Sequence, residues 1–302
     1  MRVFVTGAAG YIGSAVVKAL VRAGHEVTGL VRSAEKETQL RKLRATPLRG
    51  DLKDPASYQA AAAEHDGIIH VGFEYGPEGV AADRKAVETL LAAARTGGKR
   101  KSFIYTSGVL CLGNTGDKPV DEDAPADAIP MVAWRPAHEK LTLDAATNTL
   151  ATAVIRPGFV YGGAKGLIAG YFESATREGA AAFVGDGNNR MALVHRDDLA
   201  ELYRLVVEKQ ARGMFHGVDG AAPRIADLAR AASEAAGKAG ATKSIPLERA
   251  RQMMGPFAEA LCTYQVVVTK RSAELGWKPA HARALDVTAD VFAEWRAESE
   301  KR

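Results

Sequence analysis

The stretch VFVTGAAGYIGSAVVKAL, residues 3–20, decides how the rest of the chain is read. Val3–Thr6 has the β-branched and aromatic composition of a strand, and Ala15–Leu20 is apolar but for one lysine, as in a helix lying on a sheet. Between them Gly7, Gly10 and Gly13 recur at three-residue spacing. A tight turn calls for Gly7, and Gly10 admits close approach of backbone to a pyrophosphate. Gly13 lets the helix pack against the strand, while the helix N-terminus faces the anion. Strand before, helix after and three spaced glycines between point to a dinucleotide-binding turn.

Outward from that turn, short β-branched runs alternate with helical patterns. EVTGLV precedes a charged helix near 35–44, TPLRG a helix over 55–64, and GIIHVGF a helix over 79–96. KSFIYTS leads through a long loop to a helix near 135–148, followed by ATAVIRPG. Apolar runs this continuous suit strands covered on both faces, so the expected fold is a Rossmann-type doubly wound parallel sheet. Past Gly158 the pattern loosens, although GMFHGV reads as one more sheet strand. The expected division is a nucleotide-binding domain over 1–158, with a returning segment near 191–220, and a smaller α/β cap, mainly substrate-binding, over 159–302.

Composition removes several function classes. At 302 residues, 47% hydrophobic and 25% charged, the chain has the material for a full core. The net charge of +4 is spread rather than gathered in a stripe, which argues against a nucleic-acid or membrane partner. No apolar run approaches the roughly 18 residues of a membrane span. Two cysteines, Cys111 and Cys262, make no disulfide framework, and the lack of CxxC or HExxH argues against a dedicated metal site. MRVFVTG reads as a strand rather than a charged-then-apolar leader, so the expected location is cytoplasmic.

The tip of the second strand discriminates between dinucleotides. A carboxylate there would hold a ribose 2′-hydroxyl; here the tip carries Arg32 and Ser33, with Lys36 nearby. A guanidinium pairs bidentately with a 2′-phosphate, so NADP(H) is expected over NAD(H).

These residues resemble the extended short-chain dehydrogenase/reductase family, also described as the NAD-dependent epimerase/dehydratase family. TGAAGYIG is similar to its TGxxGxxG turn, and RGDL at 49–52 to its adenine-contacting segment, through Asp51 and Leu52. RPGFVYGG at 156–163 resembles RPxxVYG, GDGNNRMALVHRDDLA the segment ending VHVDDLA, and SAELGW with Pro279 the closing LGWxP. The resemblance implies cofactor contacts at Gly7, Gly10, Tyr11, Ile12, Gly13, Arg32, Asp51, Leu52, Gly72, Lys140, Pro157 and Val160. It also implies a small-molecule substrate under the cap and a homodimer formed through the helices near 79–96 and 135–148.

The departures fall on the chemistry. The family works through a Ser or Thr, a Tyr, and a Lys four residues after the Tyr. By this alignment Lys140 matches the lysine, Pro136 stands at the tyrosine and Gly108 at the hydroxyl. Ser107, next to Gly108, is the candidate substitute, so the catalytic candidates are Lys140 and Ser107. His138 is expected at the surface or a dimer interface, while His195 and Asp198 should cap a helix and support the fold. Tyr75 and Tyr161 are expected as packing or substrate walls. Sugar-nucleotide epimerases resembling this chain carry an Arg where it has Met191, with Arg190 one step earlier on the opposite face of a strand. The leading expectation is an NADP(H)-dependent reductase of a small carbonyl metabolite with a non-standard proton donor. The alternatives are an NADP(H) sensor without turnover and, behind it, a sugar-nucleotide epimerase or dehydratase.

Overall fold

The computed structural model describes residues 1–281 and 283–300. Its sheet begins with β1 (Arg2–Thr6), β2 (Glu26–Val31), β3 (Thr46–Arg49), β4 (Gly67–His70), β5 (Lys101–Thr106) and β6 (Leu150–Pro157). The helices between them are α1 (Tyr11–Arg22), α2 (Ala34–Lys42), α3 (Gln59–Ala63), α4 (Gly79–Ala94) and α5 (Arg135–Asp144). The chain then leaves the sheet through β7 (Phe159–Tyr161), α6 (Leu167–Glu178), β8 (Ala181–Val184) and β9 (Leu193–His195). It returns with α7 (Arg196–Glu208) and β10 (Gly213–Gly217). After these come α8 (Ile225–Ala235), β11 (Thr242–Ile245), α9 (Leu247–Met254), α10 (Phe257–Cys262), α11 (Arg271–Glu274) and α12 (Thr288–Ser299).

The seven-stranded sheet runs β10-β6-β5-β4-β1-β2-β3 with every pairing parallel. Alternation along each strand feeds two cores. Val3, Val5, Ile69, Ile104 and Ile155 pack under α1 and α7. Their neighbours Phe4, Ile68, Phe103, Tyr105 and Val154 pack under α4. Each fully buried Val, Ile or Phe contributes roughly 1.5–3 kcal/mol, which is why strands covered on both faces read as unbroken apolar runs. The order reverses at β1, whose neighbours are β2 and β4, so the crevice at its C-terminal end is the place for a ligand.

The excursion outside the sheet builds its own core from Phe172, Phe183, Met191, Leu228 and Val291, beside the parallel pair β8–β11. The last part of the chain departs from the expected division. Val267 bridges to Val120, and Trp277 lies in the core beneath α7, so this stretch lies against the sheet body rather than within the cap. Asp198 anchors it: the carboxylate accepts from the N–H groups of Ala280 (2.9 Å) and His281 (2.8 Å), and the Trp277 indole donates to the Asp198 carbonyl (2.8 Å). His195 caps α7 by accepting from the Asp197 N–H. Among the described residues no helix is long and apolar enough to cross a membrane.

Candidate active site

The turn between β1 and α1 is shaped by what its glycines lack. Gly7 has φ +64°, and a Cβ there would lie 2.6 Å from Gly72 Cα. A Cβ on Gly13 would lie 2.1 Å from the Gly7 carbonyl oxygen. The first turn of α1 has neither a side-chain cap nor an acidic residue, so its leading N–H groups face the crevice unopposed. Gly7, Gly10, Tyr11, Ile12 and Gly13 form one wall of a groove of about 620 Å³, with Arg32, Ser33, Lys36, Leu52 and Gly72 on the other sides. A bare backbone cradle and an uncapped helix start fit the pyrophosphate of a dinucleotide.

Two details in the groove were not visible in the sequence. Arg32, 63% exposed, is ion-paired with Glu74 from the loop after β4, so a 2′-phosphate would compete with a carboxylate already present. Asp51 turns its carboxylate back onto the Lys53 N–H at 2.9 Å, which leaves Gly50 and Leu52 as the groove wall in that segment. Tyr11 donates to the Gly162 carbonyl (2.8 Å), and burial pushes its phenol above the ordinary tyrosine range.

Ile12, Val71, Gly72, Phe73 and Tyr75 are shared between this groove and a second cavity of about 610 Å³. Pro157 and Val160 line the second cavity rather than the groove, as do Ser107 and Gly108 at the end of β5. Ser107 is buried, with its hydroxyl 3.4 Å from Cys111 Sγ. Burial raises the Cys111 thiol to about 11, so it stays protonated at neutral pH. At Gly108 a Cβ would meet nothing closer than the Pro157 carbonyl at 4.0 Å, so the hydroxyl missing from this position leaves open space. Tyr75 stands 91% exposed at the rim, whereas Tyr161 is buried in the cap core. Met191 is buried in that same core, and the Arg190 guanidinium donates to the Ala222 carbonyl (2.8 Å).

Lys140 is not part of this site. It is 76% exposed on the outer side of α5, 2.7 Å from Asp144. The phase of the helix explains its position. At about 100° per residue, Arg135, His138, Glu139 and Thr142 share one face, and Lys140 falls well off it. His138, Glu139 and Thr142 are the buried residues of α5, so the histidine expected at the surface lies inside. Arg135 and Glu139, spaced four apart and one residue before Pro136 and Lys140, are therefore the pair on the inward face in place of those two. Glu139 grips Arg156 of β6 with both oxygens, at 2.8 and 2.5 Å. Arg135 faces the cavity, donates to the Thr106 carbonyl (3.0 Å), and has its guanidinium carbon 4.6 Å from the Trp134 ring centroid and 5.5 Å from that of Phe73.

Behind that wall lies a buried polar hub. The Asp83 carboxylate meets His138 Nδ1 (2.7 Å), His70 Nε2 (3.2 Å) and the donating Tyr105 hydroxyl (2.9 Å). His70 Nδ1 continues to the Thr6 hydroxyl (2.7 Å), which accepts from the Gly72 N–H (3.2 Å). Burial works to raise the Asp83 carboxyl, but hydrogen bonds from His138 and His70 outweigh it and hold the group well below the usual carboxylate range. Elsewhere, ligand atoms of His195, His281 and Glu294 lie within 4.8 Å of one another, where Glu294 accepts from the Gly163 N–H and His281 contacts Asp198. Among them they tie α12 to the start of α7.

The model of the NAD dependent epimerase/dehydratase family matches residues 3–216. The uncharacterized protein YLL056C of Saccharomyces cerevisiae is 34% identical over 297 residues, covering 95% of this chain and 97% of that one. A 2-alkyl-3-oxoalkanoate reductase of Stenotrophomonas maltophilia is 30% identical over 226 residues, covering 70% and 67%. Among solved structures, the human epimerase family protein SDR39U1 with NADPH superposes at a TM-score of 0.80 with 20% identity, covering 97% and 99%.

Proposed function

Because the chain belongs to the NAD-dependent epimerase/dehydratase family, we propose that it is an NADP(H)-dependent oxidoreductase that reduces a small carbonyl compound with an apolar body. The observation that carries this reading is the continuity of the dinucleotide groove with an apolar-walled cavity through Ile12, Val71, Gly72 and Phe73. A similar protein bearing the name of an oxoalkanoate reductase supports it. Solved chains of the same fold hold NADPH or NAD, which supports a nicotinamide dinucleotide, and Arg32 favours the phosphorylated form. When bound, that cofactor supplies the hydride.

The chain's own residues do the rest. The glycine turn and the α1 start take the pyrophosphate. Arg32 exchanges Glu74 for the 2′-phosphate, and Leu52 with Gly72 flank the groove. Pro157 and Val160 shape the far end, and the cap residues Met254 and Phe257 help close the cavity against water. Ser107 is the proposed hydroxyl beside the acceptor oxygen, with water completing proton delivery, since Gly108 and Pro136 offer none. A second reading, a nucleotide sensor without turnover, draws on those two missing groups and on the outward-facing Lys140. The epimerase reading loses support because Met191 is buried in the cap core.

Purified protein incubated with NADPH and a panel of aldehydes, ketones, enones and oxo acids, followed by loss of reduced-nicotinamide absorbance, tests the choice. The reductase reading expects turnover with members of the panel that carry an apolar body. Tight NADPH binding with no turnover on any acceptor would replace it with the sensor.

A further inference from the structure

Arg135 is a half-buried cation. Among the described residues its only hydrogen-bond partner is the neutral Thr106 carbonyl, and no carboxylate lies within ion-pair distance. The other charged group on the cavity wall, Asp83, is already engaged by two histidines and Tyr105. Much of the rest of the wall is apolar, including Ile12, Val109, Leu110, Met131, Val132 and Phe257. A guanidinium with free donors in such surroundings gains most from a planar anion, which it meets bidentately. Stacking fixes its direction: the Phe73 and Trp134 rings lie parallel within 14°, 5.3 Å apart, and the guanidinium sits against both. The cofactor's phosphates are not the anion in question, because Arg135 lines the second cavity and not the groove.

We propose that Arg135 binds a carboxylate of the substrate, so that the substrate is an oxo acid whose apolar body fills the remainder of the cavity. The proposal rests on the carbonyl-reductase reading for the oxo group, while the anion site rests on Arg135 itself. Arg135 is then a specificity-determining residue that separates acids from neutral carbonyls.

Calorimetric titration of the NADP⁺-saturated protein with a matched pair, 4-methyl-2-oxopentanoate and its methyl ester, reads this directly. The acid should bind about 30-fold more tightly than the ester, the scale of a charge-assisted hydrogen-bonded pair. Arg135→Gln, which keeps a donor for Thr106, should erase that preference by weakening the acid and leaving the ester nearly unchanged. Arg135→Lys should keep part of it. Repeating the titration with phenylpyruvate and its methyl ester covers a cavity that prefers an aromatic body. Equal binding of acid and ester in both pairs, no binding of either, or an equal loss of both in Arg135→Gln, would overturn the inference. Arg135-dependent acid binding without NADPH-dependent turnover would instead overturn the reductase reading and leave the anion site standing.

Discussion

The two ends of the cleft were built under different constraints. At the end proposed for the pyrophosphate, the site is made of backbone geometry: Gly7 is required by a left-handed φ and by Gly72, and Gly13 by the Gly7 carbonyl. Any side chain there collides with main chain, so residue type and spacing announce the site. At the end proposed for the substrate, the groups arrive from β5, α5, the loop after β4 and the α9–α10 region, and each is placed by packing. Chemistry of that kind moves along a helix by one residue while the fold stays put. A site written in the backbone is legible from spacing; a site written in side chains requires the phase of every element that contributes.

The strongest challenge to this contrast is a substitution on α5. Glu139→Ala leaves Arg156 buried and uncompensated and should cost about 3–5 kcal/mol in chemical denaturation. Glu139 ranking with surface residues in that measurement would return the pair at Pro136 and Lys140 to consideration. The backbone end is probed by Gly13→Ala. Its Cβ meets a carbonyl that has nowhere to go, so stability should fall by roughly 1–3 kcal/mol and NADPH affinity far more, as read by fluorescence titration. An unaltered affinity would mean the turn does not hold the phosphates.

Arg32→Asp should weaken NADPH by about 10- to 100-fold relative to NADH, the scale of a lost bidentate phosphate contact. Glu74→Gln, which frees Arg32, should shift the ratio slightly the other way. A preference indifferent to both would detach the guanidinium from cofactor choice. Asp219, just past β10, extends the contrast to acidity. Burial, reinforced by Asp198, lifts its carboxyl to about 7 against the opposing Ala221 N–H. The folded state therefore holds a proton that the unfolded chain has released above pH ~4, and stability declines as pH rises from there to about 7. Asp219→Asn should match the wild type near pH 4 and melt later at pH 8, by on the order of 1 kcal/mol because the group is partly exposed. Identical melting across pH 4–8 would remove Asp219 as the source. The smallest effect belongs to Lys140→Ala, within about 0.5 kcal/mol and without change in NADPH binding.

Most of the fold was legible because strands covered on both faces must be largely apolar, and runs such as RVFV, GIIHVGF and ATAVIRPG announce themselves. The phase of α5 was not. Its buried face carries His138, Glu139 and Thr142 in place of an apolar stripe, so hydrophobic periodicity had nothing to report. One signal was available. Arg156 is the one charged residue of a fully buried strand, and a cation buried there demands a carboxylate from the preceding helix. Glu139 is the residue of α5 that meets it, and its phase brings Arg135 to the cavity. Glu74 beside Arg32 and Asp83 between two histidines leave no comparable trace, because their partners lie far off along the chain or in irregular loops.

The anchoring of residues 277–281 on Asp198 has a mechanical corollary. The strap from Trp277 to His281 is hydrogen-bonded to Asp198 in the first turn of α7, so this passage of the chain toward α12 offers no slack joint about which the cap could swing. Entry and exit then fall to small displacements of rim side chains such as Tyr75 and Phe257, and the overall radius of gyration should stay the same whether the crevice is filled or empty.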